Sequence, residues 1–159
     1  MGSVDDYIAQ AIDRLSSDDI RAAIQMYREA LKLDPSDPTA LTGLGAALDE
    51  SGELENAIDC YREALKAAPD DVIAHSGLGV VYEQQGNIDV ATQEYRAALS
   101  FDQQTAFLHI AYARDRHQKS LLREKEGYEL KVKELTELID RYASITEAVD
   151  RDIAKYFPK

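Results

Sequence analysis

Three histidines, one cysteine and the aspartate pairs Asp18-Asp19 and Asp70-Asp71 are the side chains of this 159-residue sequence best placed to do chemistry. Imidazole and thiolate are the usual ligands of zinc, and a thiolate can also serve as a nucleophile or redox centre. Paired carboxylates hold calcium when further oxygen ligands follow at alternating positions. None of these patterns is complete here. Cys60 has no second cysteine, which excludes an intrachain disulfide framework and a cysteine-based zinc cluster. His117 follows His109 with no cysteine or carboxylate cluster at ligand spacing. Asp18-Asp19 and Asp70-Asp71 lack the alternating ligands of a calcium loop, and each pair precedes an apolar periodic segment, where carboxylates favour the positive end of a helix dipole. The chain also has no HExxH, no nucleophile elbow, no phosphate-cradling glycine loop and no EF-hand loop. We therefore expect no catalytic residue, no metal, no cofactor and no enzymatic activity. Cys60 reads as a partly buried small side chain.

His75 and His109 carry a different message, because their separation recurs. Pro35 and Pro69 stand at the same interval, as do Gly45 and Gly79, Gly52 and Gly86, Tyr27, Tyr61 and Tyr95, and Ala30, Ala64 and Ala98. A fixed period of this length marks a stacked repeat. Three units follow, 4–37, 38–71 and 72–105, each a pair of amphipathic helices. In the second unit the periodicity predicts helix A over 39–51 and helix B over 54–67. Gly52 supplies the turn between them, and Pro69 stops helix B. Leu44-Gly45, Ala57, Tyr61, Ala64 and Pro69 in unit two, with Leu78-Gly79, Tyr82, Ala91, Tyr95 and Ala98 in unit three, combine small residues where helix backbones meet with large ones that fill the space between. The histidines at 75 and 109 occupy equivalent slots and read as packing residues.

This set of residues closely resembles the tetratricopeptide repeat (TPR) signature and covers residues 4–105. Unit one departs from it at Gln10-Ala11 and Arg14, as the outer face of a terminal repeat often does, and at Asp18 in the turn-glycine slot; unit three ends in Gln103 where proline is usual. The resemblance implies an all-α fold: a right-handed TPR superhelix, or α-α solenoid, with a C-terminal capping helix and a long helical tail. The expected domains are a solenoid over 4–119, with its capping helix at 106–119, and a tail over 120–159. The capping helix resembles the A helix of a fourth unit, with Phe107, Ile110, Ala111 and Tyr112 on its apolar face. No B helix follows, since Lys125 and Glu129 stand in the alanine and tyrosine slots. Gly127 is a candidate break. Beyond it, Tyr128, Val132, Leu135, Ile139, Tyr142, Val149, Ile153 and Tyr156 keep a four-three spacing that Thr146 interrupts, a narrow helical stripe. Ser144 to Glu147 forms a capping box, so one helix or two would fit. The stripe needs a partner surface: the chain's own solenoid, a second copy in a homodimer, or another protein.

Composition limits the partners. The chain holds 18 basic and 30 acidic residues, a net charge of −12, and 45% hydrophobic residues. That permits a core and argues against nucleic acid, whose phosphates would be repelled. No apolar run approaches the ~20 residues of a membrane span, and residues 1–6 lack the basic start of a signal peptide. We expect a soluble, cytoplasmic protein. The acidity is uneven: residues 1–105 carry 7 basic and 20 acidic side chains, or −13, and residues 106–159 carry 11 and 10, or +1.

In TPR proteins the A helices line a concave surface that takes peptides or helices. Carried over by position, the resemblance implies a groove formed by Asp5, Ile8, Ile12 and Leu15, then Thr39, Thr42, Ala46, Asp49 and Glu50, then Ile73, Ser76, Val80, Glu83 and Gln84, and finally Phe107, Ile110, Arg114 and His117. Its floor is apolar and its edge acidic, which suits an apolar or amphipathic segment with basic residues on its margin. Co-chaperone members grip a heat-shock chaperone's terminal carboxylate with Lys, Asn and Arg. Here the same slots hold Ile8, Ile12, Gly43, Ile73 and Gly77, none of which has a side-chain donor, so no such clamp is expected. The expected function is a non-enzymatic adaptor, scaffold or assembly factor. The alternatives are a bacterial secretion-type chaperone, whose helical dimerisation segment usually precedes the repeats, and a self-assembling structural protein that uses its C-terminal helix.

Overall fold

The structure, a computed structural model, describes the backbone of residues 2–156 and the side chains of residues 2–113, 115, 118, 119, 122, 124–134, 136 and 137. Its helices, in chain order, are α1 (Val4–Ser16), α2 (Ile20–Leu33), α3 (Pro38–Ser51), α4 (Leu54–Ala67), α5 (Val72–Gln84), α6 (Ile88–Phe101) and α7 (Gln103–Tyr156). Among the described residues there is no strand. Among the described residues, no helix is long and apolar enough to cross a membrane. The chain divides into two compact units, Met1–His117 and Gln118–Lys159, a boundary two residues before the end of the expected capping helix.

Local chemistry sets where each helix begins and ends. Ser3 opens α1 with a capping box: its hydroxyl accepts from the Asp6 N–H, and the Asp6 carboxylate accepts from the Ser3 N–H. Asp19, Asp37 and Asp71 accept from the first-turn amides of α2, α3 and α5. The turns inside each hairpin need a residue in the left-handed region. Gly52 (φ 84°) and Gly86 (φ 78°) provide it at no steric cost, and Asp18 (φ 60°) takes the same role in unit one.

The unit Met1–His117 stacks as an α-α solenoid: α1 to α6 pair within their hairpins, and α1 to α4 also pair with the next hairpin. Helices α2 and α4 bury one stripe each: Ala23, Ile24, Tyr27 and Ala30, then Ala57, Ile58, Tyr61 and Ala64. Helices α3 and α5 are covered on more sides and bury seven and eight residues. The tyrosines lock the stack. The Tyr61 ring lies against Gly45 on its own A helix and against Gly77 on the next, so closely at Gly77 that no Cβ would fit. Tyr27 lies against Gly43 in the same manner. Gly43 and Gly77, which as candidate binding slots lack a donor, are glycines because an aromatic ring occupies the space a side chain would need.

Two expectations change at the end of the repeats. The last helix begins at Gln103, not at residue 106. Four residues link α2 to α3 and α4 to α5, whereas Asp102 alone links α6 to α7. With glutamine in the proline slot nothing blocks an early start, and Asp102 caps the new one by accepting from the N–H groups of Gln104 (3.0 Å) and Thr105 (3.2 Å). Gly127 does not break the helix, and the capping box near Ser144 does not start a second one: the backbone is helical through both.

Candidate interaction surface

The expected groove lining falls on α1, α3 and α5, and side-chain hydrogen bonds tie α3 to α5. Thr42 Oγ1 donates to Asp71 Oδ2 (2.7 Å), so one carboxylate both caps α5 and ties it to α3. About two turns further along α3, Gln84 Nε2 donates to Asp49 Oδ1 (2.9 Å). The Tyr95 hydroxyl donates to Glu83 Oε2 (2.6 Å), joining α6 to the same surface. Bonds between side chains on neighbouring helices fix spacing better than single contacts, so this surface is preorganised.

The expected lining residues divide into two groups. Ile8, Thr42, Ser76 and Val80 are buried; Ile8 belongs to the core cluster, and Ser76 donates to the Val72 carbonyl at 2.7 Å. They build the wall but present little surface to a ligand. Ile12 is 53% exposed and Ile73 39%, large apolar side chains open to solvent in the lining positions. Thr39 and Asp5 are exposed as well, and Leu15, Ala46, Asp49, Glu50, Glu83 and Gln84 are half-buried. The structure thus has two exposed isoleucines in the lining and three half-buried acids, Asp49, Glu50 and Glu83. At the C-terminal end Ile110 is half-buried and Phe107 exposed, while the side chains of Arg114 and His117 lie outside the described residues.

The tail stripe begins with Tyr128 and Val132, both exposed. The side chains of Leu135, Ile139, Tyr142, Val149, Ile153 and Tyr156 lie outside the described residues.

The residues best suited to chemistry have structural surroundings. His75 stacks on Phe101 with ring centroids 5.8 Å apart, and its nitrogens lie 2.7 Å from Glu94 Oε2 and 3.1 Å from the Pro69 carbonyl. The Nδ1 of His109 is buried without a hydrogen-bond partner among the described residues, and burial holds its pKa below the ordinary value. Cys60 is half-buried, and burial, with the nearby Asp59 charge, pushes its thiol up to about 11. Little thiolate forms at neutral pH, so nucleophilic or redox use is poorly supported. Among the described residues, no group of three or more His, Cys, Asp or Glu side chains converges as a metal site. Sequence reasoning missed the Arg62–Tyr82 pair, in which Nη2 donates to the hydroxyl at 2.6 Å and clamps α4 to α5. Its signal was an arginine one residue after the invariant tyrosine slot.

Comparison with known proteins agrees with this architecture. A family model described as tetratricopeptide repeat matches residues 8–71 and 47–106. Among solved structures, the Arabidopsis OM64 TPR domain superposes with a TM-score of 0.64 at 21% identity, covering 71% of this chain and 95% of that one. The crystal structure of MamA gives 0.58 at 27% identity, with coverage of 65% and 57%, and a MamA R50E mutant gives 0.57 at 23%, with 62% and 72%. A search of curated proteins gives no match.

Proposed function

Because the chain belongs to the tetratricopeptide repeat family, whose fold is a protein–protein interaction module, we propose that it is a non-enzymatic adaptor or assembly factor that holds a partner segment on its concave face. The observation that carries this reading is the pair of exposed isoleucines, Ile12 and Ile73, in the lining positions of a surface that also carries Asp49, Glu50 and Glu83. Exposed aliphatic side chains on a hydrogen-bonded surface favour an apolar stripe in the ligand, and the acidic edge favours Lys or Arg beside it. An amphipathic helix with a basic margin meets both demands. A free terminal carboxylate does not, because Ile8, Ile12, Gly43, Ile73 and Gly77 offer no side-chain donor.

A defined probe tests the reading. An amphipathic Leu/Lys peptide of about 14 residues, a typical helix length, should bind in calorimetry, whereas its Leu/Glu counterpart should not. Ile12→Lys with Ile73→Lys should weaken binding roughly tenfold or more. Loss of two acids on the outer helix α4 (Asp59→Asn, Glu63→Gln) should leave it unchanged. Equal binding of both peptides, or equal effects of the two double variants, would reject the groove as the site.

A further inference from the structure

The two ends of the solenoid differ in a way that points to a second surface. Four A-helix positions are buried throughout the interior of the stack: Ala40, Leu44, Ala47 and Leu48 in unit two, and Ala74, Leu78, Val81 and Tyr82 in unit three. Their equivalents in unit one are Asp6, Gln10, Asp13 and Arg14, all exposed. The first end is therefore closed by polar and charged side chains, as terminal repeats must be to stay soluble.

The other end is not closed that way. The equivalents of Ala74 and Leu78 on α7 are Leu108 and Tyr112, and they are 61% and 60% exposed. Phe107 and Ala111 lie beside them at helical spacing and are exposed too. The displaced start of α7 accounts for this. Three residues fewer in the link change the rotational register by about 60°, since each residue turns the helix by ~100°. Helix α7 instead buries Ala106 and half-buries His109, Ile110 and Ala113. The face of α6 meant for a next repeat is affected as well. Leu99 is exposed where Leu31 and Leu65 are half-buried, and Tyr95 is half-buried where Tyr27 and Tyr61 are buried. Phe107, Leu108, Ala111 and Tyr112 together expose on the order of 400 Å² of mostly apolar surface, the size of patch that marks an interaction site.

We infer that this face of α7 is an isologous contact between two copies of the chain, closing a dimer through the C-terminal end of the solenoid. Three observations choose a second copy as the occupant. The patch carries no charge, so it can match itself across a two-fold axis. Head-to-tail continuation would set it against Asp6, Gln10, Asp13 and Arg14, which would lose their hydration without gaining partners. The acidity is concentrated in residues 1–105, at −13, and the remainder is +1, so two copies repel least when they meet at this end. Of the expected groove lining only Phe107 enters this contact, Ile12 and Ile73 stay outside it, and the inference does not depend on the groove reading.

Light scattering on the full chain over a wide concentration range tests it. Wild type should reach twice the 17.7 kDa chain mass and stop there. Leu108→Asp with Tyr112→Asp, at exposed positions and with helicity checked by circular dichroism, should raise the dimer dissociation constant ~100-fold or more, because each substitution counts twice across the two-fold axis. Val132→Asp on the tail stripe should leave the dimer intact. A wild-type monomer at every concentration would overturn the inference. So would a mass that climbs past two chains, or a dimer that Val132→Asp breaks and the α7 variant does not.

Discussion

At the scale of single residues, the conserved interval of the repeat is a record of steric fit. Gly77 is small because the Tyr61 ring sits where its side chain would begin, and Gly43 answers Tyr27 likewise. Gly77→Ala should cost about 1–3 kcal/mol of unfolding free energy in urea denaturation, the range of an overpacked core. Gly127 has nothing within reach and lies inside α7, so Gly127→Ala should be neutral or stabilising by up to about 1 kcal/mol. Equal effects at the two sites would refute the steric account. His109 gives a prediction in pH. Its folded pKa is depressed by burial, so the unfolded chain binds more protons, and the stability tied to a neutral His109 is present above the ordinary value of 6.5 and lost as pH falls through the folded value. His109→Leu also removes a buried Nδ1 that has no hydrogen-bond partner among the described residues. The variant's stability relative to wild type should therefore increase on acidification below pH 6.5, as read from denaturation midpoints at several pH values. A constant difference across that window would count against the linkage.

At the scale of elements, aspartates at helix starts do unequal work. Asp37 caps α3 through one bond to the Ala40 N–H, whereas Asp71 accepts from Ile73, from Ala74 and from Thr42 on the neighbouring α3. Asp71→Ala should cost about 2 kcal/mol and Asp37→Ala about 1, and Thr42→Val should lose most of its own effect once Asp71 is gone. Additive effects of Asp71 and Thr42 in that double-mutant cycle would mean the tie is not formed. The sequence made α3 and α4 legible almost to the residue, because period, Gly52 and Pro69 all pointed to the same boundaries. It misplaced the start of α7 because the 34-residue register was extended past the point where its punctuation changed. Gln103 in the proline slot and Asp102 three residues before Thr105 are a cap signature that was present and outweighed. The Gly127 break failed for a simpler reason: glycine inside a helix costs only about 1 kcal/mol, and the flanking residues favour helix.

At the scale of the whole chain, three stacked hairpins give a surface whose chemistry varies along the repeat while its packing does not. The interior positions were readable from spacing, since close packing demands the same sizes each time. Exposure was not readable: Ile8 and Ile12 look alike in sequence, yet one is buried in the core and the other open to solvent, a difference set by which neighbour reaches each. The central claim is that the concave face, and not the outer helices, receives the partner segment. Amide chemical-shift mapping during titration with the Leu/Lys peptide tests it most directly. The account predicts perturbations concentrated at Ile12, Asp49, Glu50, Ile73 and Glu83 on α1, α3 and α5. Perturbations concentrated on α2, α4 and α6, or scattered over the acidic surface without a cluster, would contradict it.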